Sequence, residues 1–215
     1  MNRMVGVLAA AVCLVAWSPA VAQELSPAGS ATLGEREGLY GRIGLDTGFM
    51  SLGVGDRDSS ASGLGTGLNL QAGYMIVPNL ALFGEFNYQA ALGLSATNEA
   101  GQDMEDSVVE KMSMSYLSVG PGAAYFLASD VFLQGSLLYS QVELSSDGGE
   151  GEPLTGFGFR LGAGKDFRMS DQFLLGVGAN FFYGILSQTI DTPLGKADRD
   201  GNAMAFGVTL SASYN

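Results

Sequence analysis

From Leu39 to the end of the chain, apolar and polar side chains alternate with a period of two. Leu39, Gly41, Ile43, Leu45, Thr47 and Phe49 share one parity, and Tyr40, Arg42, Gly44, Asp46 and Gly48 share the other. Successive side chains of an extended strand point to opposite faces. One mostly apolar parity beside one small or charged parity therefore marks a strand between two different environments. The pattern recurs over 64–76, 80–89, 112–127, 131–140, 157–167, 173–185 and 206–214, which makes eight predicted strands. In 112–127 the register is ambiguous. Placing Leu117, Val119, Ala123 and Tyr125 on the apolar face makes Pro121 a local disturbance of the ladder. No segment shows a helical period.

The connections alternate in length. Val77-Pro78-Asn79, Ala128-Ser129-Asp130 and Met169-Ser170-Asp171 read as tight turns, whereas 52–62, 95–110, 143–153 and 187–200 read as long polar loops. Short turns at one end and long loops at the other describe an up-and-down meander of hairpins, an asymmetry typical of transmembrane barrels.

The first residues do not belong to that pattern. One positive charge in Met1–Arg3, an apolar run from Val5 to Ala16 and a small-residue site at Ala20-Val21-Ala22 have the order of a secretory signal peptide cut after Ala22. The run is too short to cross a membrane as a helix, which needs about 20 apolar residues. Residues 23–37 contain Pro, Gly and Ser without apolar period and read as a flexible periplasmic tail. The expected organisation is thus a signal peptide at 1–22, a tail at 23–37 and a barrel at 38–215.

Alternation alone does not say which face is outside, since a soluble lipocalin-like barrel would turn its apolar face inward around a ligand. Two features favour the opposite arrangement. The polar parity is mostly Gly, Ser, Asn and Gln, whereas a soluble surface carries many Lys, Glu and Arg. The aromatic residues of the apolar parity also fall in two rows. Tyr74, Tyr125, Phe167, Phe173 and Tyr214 lie beside the short turns and the C-terminus. Phe49, Tyr88, Tyr139, Phe157 and Tyr183 lie beside the long loops. Rings at both ends of one face suit the two interfaces of a bilayer. The predicted fold class is all-β, an eight-stranded antiparallel up-and-down transmembrane β-barrel.

With LYGRIGLDTGFM at 39–50, YMIVPNLALFGEFNY at 74–88 and AFGVTLSASYN at 205–215, the chain resembles the small eight-stranded outer-membrane β-barrels of Gram-negative bacteria. That group includes the OmpA transmembrane domain, OmpX and the opacity proteins. The resemblance covers 38–215 and rests on pattern rather than on an invariant motif. It implies an outer-membrane location with both termini periplasmic, and a monomer surrounded by lipid and lipopolysaccharide. It also implies insertion machinery that reads the last strand. Members usually end in an aromatic residue; here Tyr214 is penultimate and Asn215 follows.

Composition narrows the chemistry. The chain has 10 basic and 22 acidic residues, a formal charge of −12, no histidine and one cysteine, Cys13, inside the signal segment. An acidic chain is a poor partner for nucleic acid. Without histidine there is no Ser-His or Cys-His pair and no His-ligated metal, which removes the outer-membrane hydrolases that depend on one. No cofactor, metal or catalytic residue is expected. Inside the barrel the sequence places Arg42, Asp46, Glu85 and Arg160, with Lys165 and Asp166 near the periplasmic mouth. Charges in a low-dielectric space need partners, so pairs such as Glu85 with Arg42 or Arg160 are expected. They would form either a structural plug or the gate of a narrow pore.

Most of the net charge lies in the four long loops. Residues 95–111 carry Glu99, Asp103, Glu105, Asp106 and Glu110 against Lys111, and 143–153 carry Glu143, Asp147, Glu150 and Glu152. These would form a solvated surface, hold a divalent cation or meet a basic partner on a cell surface. The run Asp198-Arg199-Asp200-Gly201-Asn202 resembles the start of a calcium loop but lacks its later ligands, and reads as a turn. Function therefore reads as structural or surface-interacting, by adhesion or shielding through acidic loops. A low-conductance pore and a soluble binding barrel are the alternatives.

Overall fold

The computed structural model describes residues 36–54, 60–97, 113–127, 129–146, 149–150, 153–170, 172–192 and 195–214. They form β1 (Gly38–Val54), β2 (Ser60–Val77), β3 (Leu80–Thr97), β4 (Ser113–Phe126), β5 (Val131–Ser146), β6 (Gly149–Glu150), β7 (Leu154–Arg168), β8 (Phe173–Thr192) and β9 (Gly195–Tyr214). The two-residue β6 folds back on Ser145–Ser146. The other eight strands pair antiparallel with their chain neighbours, and β1 closes on β9. The result is a closed eight-stranded barrel with no open edge along its wall.

The register fixes the geometry of closure. Partners followed once around the wall run Ile43, Leu70, Phe86, Val119, Tyr139, Phe157, Ile185, Asn202 and Gly53. The path returns to β1 ten residues beyond its start. A stagger of that size in eight strands tilts each by about 40° from the axis and leaves an interior that side chains fill. Such a narrow wall brings inward-facing positions close together. Gly48 and Gly207 are direct partners there, and a side-chain carbon on Gly48 would collide with the Phe206 carbonyl oxygen.

The apolar parity faces outward in every barrel strand. Ile43, Leu64, Leu82, Leu137, Leu161, Leu175 and Leu210 are all exposed, while Arg42, Asn69, Glu85, Ser140, Arg160, Asn180 and Ser213 are buried. A soluble barrel with its apolar face around a ligand is therefore not what the chain forms. Pro121 behaves as its missing N–H demands: the β4–β5 ladder skips Gly120 and Pro121 and resumes in the same register.

The strands outrun the expected boundaries at the long-loop end. β1 and β2 occupy much of 52–62, β8 and β9 run through 187–200 to a Thr192↔Gly195 pair, and β5 reaches Ser146. The outward apolar parity fades there, and the apolar side chains lie inward instead, with Leu52, Leu94, Val142, Leu154 and Leu186 buried, while the backbone ladder continues. Asp198–Asn202 accordingly lies in β9, paired with Ile185–Thr189, and is neither a turn nor a cation loop. At the other end Asn79 (φ 66°) and Asp130 (φ 58°) take left-handed conformations in their tight turns, which Asn and Asp tolerate. The signal segment, its site at Ala22, most of the tail and most of the acidic loop residues lie outside the described residues.

Candidate functional site: the lumen

The lumen is layered. At the short-turn end Tyr40, Met75, Ala81, Phe83, Ala124, Phe126 and Phe132 form an apolar cluster. At the loop end a second cluster includes Met50, Leu52, Leu94, Met114, Tyr116, Leu138, Val142 and Phe182. Between them lies a layer of hydrogen-bonded polar and charged side chains.

In that middle layer Arg160 of β7 reaches two carboxylates. Its Nη2 donates to Asp46 Oδ2 at 2.7 Å and its Nη1 to Glu85 Oε1 at 2.8 Å. Asp46, on β1, also accepts from Asn87 Nδ2 at 3.0 Å and from the Thr209 hydroxyl. Glu85, on β3, accepts from Asn69 Nδ2 at 2.6 Å and from the Ser136 hydroxyl. Asn180 joins through Thr209 Oγ1 at 2.8 Å. These donors and acceptors come from β1, β2, β3, β5, β7, β8 and β9, so one network ties together seven of the eight barrel strands. Each carboxylate gains several donors, which is the condition under which buried charge is tolerated.

A second charged group lies at the short-turn mouth, and it corrects three expectations. Arg42 does not pair with Glu85. Its Nη2 donates to both oxygens of Asp166, at 3.0 and 2.8 Å. Arg36 does not belong to a free tail. It is 3% exposed, and it donates to Asp166 Oδ2 at 2.9 Å and to Asp130 Oδ1 at 3.0 Å. Its backbone N–H donates to Asn79 Oδ1 at 3.0 Å, and Asn79 N–H returns a bond to the Arg36 carbonyl at 3.1 Å. Lys165 is not lumenal: its parity puts it on the outer face, and it is exposed. The guanidinium carbons of Arg36 and Arg42 lie 4.0 and 3.9 Å from the ring centres of Phe126 and Phe132, so both cations stack on the apolar cluster below the middle layer.

The four lumenal candidates Arg42, Asp46, Glu85 and Arg160 are thus all buried, but they divide between two clusters. Asp166 joins the second by the parity already visible in its segment. Arg36 shares the inward parity of Tyr40 and Arg42 and lies just before the strand proper. Asp130 comes from a turn, where parity carries no information. The lumenal aromatics Tyr40, Phe83, Tyr116, Phe126, Phe132 and Phe182 make the interior less polar than its Gly, Ser and Asn content suggests.

On the outside, Tyr74, Tyr125, Phe167 and Phe173 are exposed beside the short turns, and Phe49, Tyr88, Tyr139 and Phe157 toward the loops; Tyr214 and Tyr183 are half-buried in the same two rows. Neighbouring strands pack these rings edge to face. Tyr139 and Phe157 have centroids 5.4 Å apart, as do Phe173 and Tyr214. Among the described residues no group of three or more Asp, Glu, His or Cys could hold a metal ion.

The sequence matches the outer membrane protein beta-barrel domain family over residues 7–214. No curated protein matches it. Among solved structures, Neisserial surface protein A is 15% identical with a TM-score of 0.48, covering 80% of this chain and 96% of its own. The attachment invasion locus protein Ail of Yersinia pestis is 19% identical with a TM-score of 0.39, covering 80% and 98%. The outer membrane protein OprG of Pseudomonas aeruginosa is 13% identical with a TM-score of 0.47, covering 84% and 99%.

Proposed function

The chain belongs to the outer membrane β-barrel family, and from that premise we propose that it acts as a closed barrel with a structural and surface-interaction role. In this reading the signal peptide is removed after Ala22, the termini and short turns face the periplasm, and the acidic loops stand outside the cell. The wall displays leucine and aromatic side chains to lipid. The loops hold most of the net charge and shield or attach the cell through it.

One observation carries the reading. Among the described residues an apolar cluster at each end of the lumen encloses the Asp46–Arg160–Glu85 network. A pore would need that network to break and both clusters to part. Losing one partner of a buried ion pair costs about 3–5 kcal/mol. The absence of histidine from the sequence supports a role without His-dependent catalysis.

Single-channel recording of the purified protein in a planar bilayer tests the closed lumen. The expected record shows no discrete openings. Regular openings from the unmodified protein overturn the closed-barrel reading and make the lumenal network a gate.

A further inference from the structure

On the outer wall between the two aromatic rows, the described residues carry a single charge. Lys165 stands exposed on β7, with Ala163 and Phe167 as neighbours on its face and Val131 and Val177 as partners across the ladders. Among the described residues no carboxylate pairs with it; Asp166 beside it points into the lumen and is taken by Arg36 and Arg42. The ammonium lies 5.8 Å from the centre of the Phe167 ring. Phe167 is two residues nearer the short turn, so the side chain leans toward that end.

This is the posture of a cation that keeps its stem on apolar surface and sends its head to the interface. A lysine on a lipid-facing wall is costly at the bilayer midplane and costs little at its edge. What the interface offers beside apolar chains is phosphate. We propose that Lys165 forms a binding site for the headgroup phosphate of an anionic phospholipid in the leaflet at the short-turn end. The lipid's chain would lie along Val131, Val177 and Leu175. The proposal rests on the reading that the barrel spans the outer membrane.

The test uses the full barrel inserted into phosphatidylcholine vesicles with and without phosphatidylglycerol, with retained lipid counted by native mass spectrometry. The unmodified protein is expected to retain phosphatidylglycerol preferentially, and Lys165→Gln to lose about fivefold of that preference, the worth of one cation near a membrane surface. Lys165→Arg should keep it. Arg168→Gln, which removes a cation at the rim, should leave it unchanged. Equal retention by Lys165→Gln and the unmodified protein overturns the site. Failure of the unmodified protein to insert at all, read as loss of heat-modifiable gel migration, overturns the membrane reading and the site with it. Insertion without a Lys165-dependent preference overturns the site alone.

Discussion

The two charged clusters of the lumen are built from the same residue types and come about differently. The middle cluster draws every member from the inward face of a strand, and one arginine serves two carboxylates. The mouth cluster sets Arg36 and Arg42 against Asp166 and Asp130, and half of it comes from outside the strands: a residue before β1 and a turn residue with positive φ. The first cluster belongs to the wall and exists wherever the barrel closes. The second keeps its Arg42–Asp166 pair between strands, but the rest of it depends on Arg36, two residues ahead of β1, reaching Asp166 and Asp130.

That difference sets the order of effects. Arg160→Met should be the most damaging change, because it leaves Asp46 and Glu85 buried with no cation between them. The expected loss is about 3–5 kcal/mol of unfolding free energy, read from urea titration of the barrel in lipid vesicles. A loss below about 1 kcal/mol would mean that water reaches both carboxylates, and the middle layer would then be wet. The mouth cannot fail in this way, since either arginine still faces Asp166 when the other is gone.

How far each cluster could be read from the sequence follows from the same contrast. Period-two alternation is a property of strands, so it put Arg42, Asp46, Glu85 and Arg160 inside and the apolar parity outside. It could not choose partners: Arg42 and Arg160 are equally inward, and only the ten-residue stagger of the closed wall decides that Glu85 meets Arg160 while Arg42 meets Asp166. It said nothing of Asp130, which has no parity, and it left Arg36 in the tail because Pro, Gly and Ser precede it. Lys165 differs for another reason: its charge points to the lumen, but the parity it shares with Ala163 and Phe167 places it on the outer face. The strand ends beyond the loop-side aromatic row escape the pattern because the apolar side chains change faces there: Leu52, Leu94, Val142, Leu154 and Leu186 lie inward and buried, and the outward face is no longer apolar.

Arg36→Ala tests the part of the mouth that comes from ahead of β1. It removes two charge-assisted hydrogen bonds and a stacked cation, yet leaves Arg42 on Asp166. The expected cost is about 1.5–3 kcal/mol in the same titration, smaller than that of Arg160→Met. Arg36→Lys should fall between, because lysine keeps the charge but cannot fork to Asp166 and Asp130 while stacking on Phe126. If Arg36→Ala costs nothing, the mouth is held by Arg42 alone and the chain before β1 is free. The rim pair of Arg168 with Asp130, at 3.4 Å and exposed, would not compensate, because such pairs contribute little.

The smallest expected effect separates the two clusters most sharply. No hydrogen bond or ion pair found among the described residues joins Arg36, Arg42, Asp130 and Asp166 to Asp46, Glu85 and Arg160. Tyr40, bonded to Gln71 at 2.7 Å, and the Gln71–Gln134 contact at 3.3 Å are neutral groups that bond to neither. A double-mutant cycle between Arg36→Ala and Arg160→Met should therefore show a coupling below about 0.5 kcal/mol, the level of sites with no shared partner. A cycle between Arg36→Ala and Arg42→Met, which share Asp166, should show about 0.5–3 kcal/mol. A large coupling in the first cycle would mean that the mouth and the middle respond as one network. Loss of the Arg36 contacts would then weaken the layer that closes the lumen, and Arg36 would become part of what keeps the barrel shut.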